Sequence, residues 1–212
     1  MTEITSACLV AMFEKIAKAI EAEKDRLCAL DGVIGDADHG IAMALGFSAA
    51  RDAVTALDPA ADPTTVFSTA AKSFLNAVGA SSGPLYATAF MRAGATVKGK
   101  RALTDADFVA AFQAMAKGIQ DRGKAERGEK TMIDAWLPAA DAAGERFAAG
   151  GDLGASLAAA LEAARAGADA TKKMVAAKGR AERLGERSLG HMDPGAASAV
   201  VVIEAMREAA TN

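Results

Sequence analysis

The stretch Ile4-Thr5-Ser6-Ala7-Cys8-Leu9-Val10-Ala11-Met12-Phe13-Glu14-Lys15-Ile16-Ala17-Lys18-Ala19-Ile20 decides the fold class. Ile4, Cys8, Met12, Ile16 and Ile20 recur at four-residue spacing, which lines one face of a helix. Phe108, Phe112, Met115 and Ile119 repeat the pattern at steps of four, three and four. Alanine supplies 55 of the 212 residues, and alanine is the strongest helix former because it loses no side-chain entropy on becoming helical. The reading is an all-α chain.

Start and stop signals divide the remainder. Asp62 before Pro63 reads as an N-cap followed by proline at the first helical position, Gly79 closes that segment, and Pro84 opens the next. Thr104 with Asp107 approximates a capping box. Eight helices are expected, over about 3–30, 40–57, 63–78, 84–98, 104–122, 131–149, 153–177 and 195–210. Val200-Val201-Val202-Ile203 favours a strand on propensity, yet a lone apolar run bounded by alanines reads as buried helix. Neither a repeat nor a composition break divides the chain, so 1–212 reads as a single domain.

Composition narrows the function classes. With 24 Lys+Arg against 27 Asp+Glu, a net charge of −3 and no basic tract, a nucleic-acid surface is not expected. No apolar run approaches the ~18 residues of a membrane helix, and the first residues lack the pattern of a secretory signal. Cys8 and Cys28 lie twenty positions apart in one expected helix, about 30 Å along its axis, so they read as reduced thiols of a cytoplasmic protein.

The chemistry concentrates in four connections. Asp31-Gly32-Val33-Ile34-Gly35-Asp36-Ala37-Asp38-His39-Gly40 sets three carboxylates within eight positions. Three anions so close repel; without a counter-ion one has a raised pKa, and a bound hard cation keeps all three ionised. All-carboxylate ligation suits Mg²⁺ or Ca²⁺ rather than zinc, and magnesium with few protein ligands borrows oxygens from phosphates, which implies a nucleotide. The same residues also read as a helix end followed by Asx turns. Gly79-Ala80-Ser81-Ser82-Gly83-Pro84 precedes a helix whose free amides attract anions, and reads equally as a serine-capped turn.

Residues 178–195 form a long loop for a compact helical domain, with Arg180, Arg183 and Arg187 able to meet phosphate or to stay solvated. Asp193-Pro194-Gly195 reads as turn chemistry into the last helix. Arg122 to Asp134 reads as a charged connection, with Trp136 and Phe147 spaced for a core face. Asp134 and Asp141 read as surface residues.

In this order and at these separations, Gly35-Asp36-Ala37-Asp38-His39-Gly40, Gly128-Glu129-Lys130-Thr131-Met132 and Gly185-Glu186-Arg187-Ser188 through Asp193-Pro194-Gly195 resemble the ADP-binding L subunit of dihydroxyacetone kinase, over essentially the whole chain. The resemblance implies a closed barrel of eight antiparallel amphipathic helices, with ADP or ATP and two Mg²⁺ ions at one mouth. It implies that Asp31, Asp36 and Asp38 hold the metals. His39, Gly40, Ile41 and Ala42 would form a phosphate-contacting turn and Ser81 and Ser82 would touch the phosphates. Gly123 and Met132 would border base or ribose, and Arg180, Asp193, Pro194 and Gly195 would complete the pocket.

Two positions depart from the family pattern. Ala42 stands where the family commonly has Asn, and Gly79-Ala80-Ser81-Ser82-Gly83 stands for Gly-Gly-Ala-Ser-Gly. The resemblance further implies phosphoryl transfer from Mg-bound ATP to a short keto sugar held covalently by a histidine of a separate K subunit, with a phosphotransferase-system M subunit as a further partner in one version. Both histidines here, His39 and His191, fall inside nucleotide-side motifs, so the sugar half is expected from another protein. The rival readings are a nucleotide-sensing module for a transcriptional regulator and a magnesium-dependent phosphohydrolase or prenyl-diphosphate enzyme.

Overall fold

The computed structural model describes residues 3–210. Among them are eight α-helices: α1 (Ser6–Ile34), α2 (His39–Thr55), α3 (Pro63–Ala77), α4 (Ser82–Thr96), α5 (Asp105–Gly123), α6 (Ile133–Ala148), α7 (Leu153–Ala170) and α8 (Pro194–Ala210). Two antiparallel two-residue strands, β1 (Ile4–Thr5) and β2 (Ala102–Leu103), pair Ile4 with Leu103 and add a small non-helical element to the expected all-α chain. Val200 to Ile203 lie within α8.

Local side chains set most helix starts. Asp62 accepts the Thr65 amide at 2.8 Å ahead of Pro63, and Asp152 accepts the Ala155 amide at 2.8 Å. Thr104 and Asp107 form a reciprocal capping box, so the amides of the N-cap and of the first turn of α5 are both satisfied.

Each helix packs on its successor, and α8 returns to pack on α1. The stripe that faces the core in α1 is Leu9, Met12, Phe13, Ile16, Ala17 and Ile20; Cys8 is exposed, because a strict four-residue step drifts around a helix of 3.6 residues per turn. Phe108, Phe112, Met115 and Ile119 are all buried. At the centre Phe13, Phe47, Phe74, Tyr86, Phe90, Phe112 and Trp136 meet in edge or tilted contacts with centroids 5.1–6.3 Å apart. Phe147 is partly buried against this core.

Three boundaries differ from the expected ones and each bears on the site. α1 runs to Ile34 rather than residue 30, which places Asp31 in its last turn instead of in the loop. α7 stops at Ala170 and a 3₁₀ turn, Thr171–Lys173, follows, because Thr171 is tied into tertiary hydrogen bonds: its carbonyl accepts from Lys130 Nζ and its hydroxyl accepts from the Asp193 amide. The segment 178–195 is not structureless: Arg180–Ser188 forms 3₁₀ helix broken at Gly185, and Ser188 Oγ accepts the Ala176 amide at 2.9 Å. No helix of the described residues is long and apolar enough to cross a membrane.

Candidate functional site

The C-terminal ends of α1 and α5 and the N-terminal ends of α2, α4, α6 and α8 meet around a cavity of about 630 Å³, closed on one side by residues 178–181. That volume is in the range of small-molecule sites. Four helix N-termini direct the positive ends of their backbone dipoles at one space. Three have a carboxylate at hand: Asp31 at α2, Asp134 in the first turn of α6, and Asp193 at α8. The start of α4 differs, since its N-cap Ser81 makes no side-chain capping bond and its first turn has no acidic residue. Ser81 and Ser82 line the cavity there.

Asp31, Asp36 and Asp38 offer oxygens that all lie within 4.8 Å of one another. Asp31 is 7% exposed, and its Oδ2 accepts the amides of Asp38 at 3.0 Å and His39 at 3.2 Å. It thus caps α2 from the last turn of α1, a task Asp38 at the N-cap does not perform. Gly35 makes room for this carboxylate: a Cβ there would lie 2.1 Å from Asp31 Oδ1. Ala37, at φ 63, turns the chain between the other two aspartates. Arg180 contacts Asp36 at 2.5 Å and Asp38 at 3.9 Å. Loss of water holds the Asp38 carboxyl above its ordinary range, Asp36 and Asp31 add to this, and Arg180 opposes it.

His39 Nε2 lies 2.9 Å from Ser198 Oγ, which also bonds the Gly195 carbonyl at 2.9 Å. With the hydroxyl donating to that carbonyl, the imidazole donates from Nε2 and keeps Nδ1 as an acceptor. Burial pushes its pKa down, so the ring is neutral near pH 7. Asp193 Oδ2 accepts the Ala196 amide at 2.7 Å, and desolvation pushes its carboxyl up to about 7 against the field of Lys130.

Of the residues singled out in the sequence, Asp31, Asp36, Asp38, His39, Ala42, Ser81, Ser82, Gly123, Met132, Arg180, Asp193, Pro194 and Gly195 line the cavity. Gly40 and Ile41 do not. Gly40 is buried against α1, where a Cβ would lie 2.0 Å from the Lys24 carbonyl, so it serves the close approach of two helices. The Ile41 side chain is 51% exposed on the outside of α2. Asp134 is buried rather than on the surface: it accepts the Gly128 amide at 2.5 Å and the Thr131 amide at 2.8 Å. Asp141 is on the surface and pairs with Arg127.

Sequence reasoning missed the apolar wall of Leu85, Ile119, Ala125 and Ile133, the rim cations Arg122 and Lys178, and Lys130, which is buried behind the lining. Their positions beside the quoted motifs were the available signal. Gly123 fits closely against that wall, since a Cβ there would sit 3.1 Å from Leu85 Cδ2. The cavity therefore has an acidic corner, a cationic rim and an apolar slot.

The DAK2 domain family model matches residues 33–208. The chain belongs to the DAK2 domain family. Relatives include the ADP-binding subunit DhaL of PEP-dependent dihydroxyacetone kinase 2 of Listeria innocua, 37% identical over 96% of this chain and 94% of its own length. The ADP-binding subunit DhaL of the Escherichia coli PEP-dependent dihydroxyacetone kinase is 38% identical, over 89% of each chain. Among solved structures, the dihydroxyacetone kinase from C. freundii in complex with AMP-PNP and Mg²⁺ superposes with a TM-score of 0.74 at 26% identity, covering 98% of this chain and 35% of that one. This DAK2 chain therefore matches the DhaL subunits over nearly their whole length and a portion of the longer kinase.

Proposed function

We propose that the chain is the nucleotide-binding, phosphoryl-donating L subunit of a dihydroxyacetone kinase, or of a kinase for a similar short keto sugar. The observation that carries this reading is the convergence of three carboxylates, within 4.8 Å of one another, on a cavity that also receives the uncapped N-terminus of α4. The ring of helices, with α8 returning to α1, supports the closed barrel of eight antiparallel helices that the resemblance implies.

The donor set fits magnesium: oxygens only, one buried and held by two amides, two more exposed and paired with Arg180, which a bound cation would displace. Asp31, Asp36 and Asp38 would hold two Mg²⁺ ions. Bound magnesium would supply charge neutralisation on the phosphate oxygens, the main demand of phosphoryl transfer. The amides at the start of α4, with Ser81 and Ser82, would hold the phosphates in line for an incoming hydroxyl. Arg180 would offset negative charge developing on the transferred group. Backbone at His39 and Ala42 would border the phosphates. Gly123, Met132 and the Asp193–Gly195 turn would enclose base and ribose against the apolar slot.

The acceptor hydroxyl would come from a keto sugar held by a separate K subunit, so the purified chain alone should show no sugar kinase activity. Several full-length relatives are named as subunits of PEP-dependent or PTS-dependent kinases. Their names favour a nucleotide that stays bound as ADP and is rephosphorylated in place by an M subunit. The test is calorimetry with ADP and Mg²⁺ on the chain and on Asp36→Asn, followed by reconstitution with a K subunit and dihydroxyacetone. Metal-dependent binding lost in a folded Asp36→Asn, with phosphorylated sugar formed only by the reconstituted pair, is the expected result. Equal binding by both proteins would overturn the assignment, and binding without transfer would leave the nucleotide-sensing reading in its place.

A further inference from the structure

Lys130 is 1% exposed, in a loop between α5 and α6 where few side chains would be expected to bury a charge. It also has left-handed backbone, φ 60, a conformation that persists in a non-glycine residue only where its surroundings enforce it. An ammonium group taken out of water needs strong acceptors. Two are present: Lys130 Nζ donates to the Thr171 carbonyl at 2.6 Å and to the His191 carbonyl. Thr171 caps the C-terminus of α7, where unpaired carbonyls carry partial negative charge and favour a cation. His191 belongs to a different segment, the one that leads into α8.

The same three stretches are stitched together elsewhere. Ala177 N donates to the Glu129 carbonyl at 3.1 Å, Gly190 N to the Lys172 carbonyl at 2.7 Å, and Asp193 N to Thr171 Oγ1 at 3.0 Å. Both edges of this seam face the cavity, Met132 from one side and Asp193 to Gly195 from the other. They are in close contact, since a Cβ on Gly195 would lie 3.4 Å from Met132 Cβ. Lys130 sits where the stretches cross, and Asp193 and Asp134 both act on its charge.

We infer that Lys130 is a positioning residue: its ammonium clamps loop 128–132 to 171–173 and to 189–193, so that Met132 and the Asp193–Gly195 turn stand as one preformed wall of the cavity. No apolar side chain could join two carbonyls from separate segments, which accounts for a buried lysine at a strained position. The inference rests on the nucleotide reading for what the wall receives, while the clamp itself stands on the hydrogen bonds.

The test uses the full chain with Lys130→Met and Lys130→Arg, read by calorimetry with Mg-ADP, by titration with Mg²⁺ alone, and by amide exchange at Gly190 and Asp193. Lys130→Met is expected to weaken Mg-ADP roughly tenfold or more, because the wall must then be ordered at the moment of binding. It should leave Mg²⁺ alone within about twofold, since the aspartates are outside the seam, and should speed exchange at both amides; Lys130→Arg should recover most of the affinity. Lys130→Gln gives the same readings if Lys130→Met does not fold. Wild-type affinity and exchange in either neutral variant would overturn the inference, as would an equal loss for Mg²⁺ alone. If the wild-type chain itself fails to bind Mg-ADP, the proposed function falls while amide exchange still tests the clamp.

Discussion

Gly35→Ala tests whether the acidic corner is built by packing. A Cβ at this position would lie 2.1 Å from Asp31 Oδ1, 2.9 Å from its Cγ and 3.1 Å from its carbonyl oxygen. The carboxylate must then rotate away, and its Oδ2 gives up the amides of Asp38 and His39, now at 3.0 and 3.2 Å. Losing a helix cap costs about 1 kcal/mol, and hydrogen bonds to a charged acceptor are worth up to about 3 kcal/mol, so a loss of about 1–3 kcal/mol is expected. For a domain of this size that is a fall in Tm of about 3–10 °C. Mg-ADP affinity should fall by more than roughly tenfold, because one of three converging oxygens leaves. Thermal melts followed by circular dichroism and calorimetry with Mg-ADP measure the two effects. The decisive control is the double variant: in an Asp31→Ala background the colliding atom is absent, so Gly35→Ala should cost little more, and the two changes should couple by most of the single effect. Wild-type melting and binding in Gly35→Ala, or full additivity in the double variant, would refute the reasoning.

Two further outcomes follow from the charges around the cavity. Because the Asp193 carboxyl is raised from 3.8 to about 7, the folded chain holds a proton through that window which the unfolded chain has released. Stability from this group is therefore greatest at low pH and falls as pH rises from 3.8 to about 7, and the difference between wild type and Asp193→Asn in urea titrations should shrink or reverse along that course. Asn keeps an acceptor for the Ala196 amide, so a pH-independent difference would contradict the assignment. Arg180→Ala removes an exposed ion pair and should change Tm by only a degree or two. Without the guanidinium beside Asp36 and Asp38, the variant should bind Mg²⁺ alone more tightly than wild type while losing phosphoryl transfer in the reconstituted kinase; weaker Mg²⁺ binding would show that Arg180 supports the corner instead of competing for it.

The parts of this fold that depend on neighbours three or four residues away are legible in the sequence. Asp62, Thr104 and Asp107 act within one helical turn, and the Phe108 to Ile119 stripe is buried as its spacing predicts. The extension of α1 to Ile34 is legible only as the alternative of a helix end, because what holds the Asp31 carboxylate there is the amides of Asp38, at the N-cap of α2, and His39, its first residue. Lys130 looks like any solvated lysine in its motif, since its acceptors are 41 and 61 residues away. Gly40 illustrates a different limit. A glycine stands in the motif, but sequence cannot tell whether the missing side chain admits a ligand or, as here, the backbone of another helix.

The distribution of caps around the cavity bears on how metal and nucleotide depend on each other. Carboxylates beside the starts of α2 and α6 offset the positive ends of those helices and would repel a polyphosphate, and Asp193 at α8 adds to this as it ionises around pH 7. The start of α4 has no such carboxylate, so an anion entering the cavity is attracted to Ser81 and Ser82 and repelled from Asp31, Asp36 and Asp38. Only a cation between the phosphates and the aspartates turns that repulsion into a contact. Each ligand then creates part of the other's site, and thermodynamic linkage requires the effect to be reciprocal. The factor by which Mg²⁺ tightens ADP must equal the factor by which ADP tightens Mg²⁺, and both should fall toward one in Asp36→Asn. Calorimetry of ADP with EDTA, of Mg²⁺ alone and of each in saturating partner closes the cycle. ADP affinity unchanged by EDTA would mean that the phosphates never approach the acidic corner.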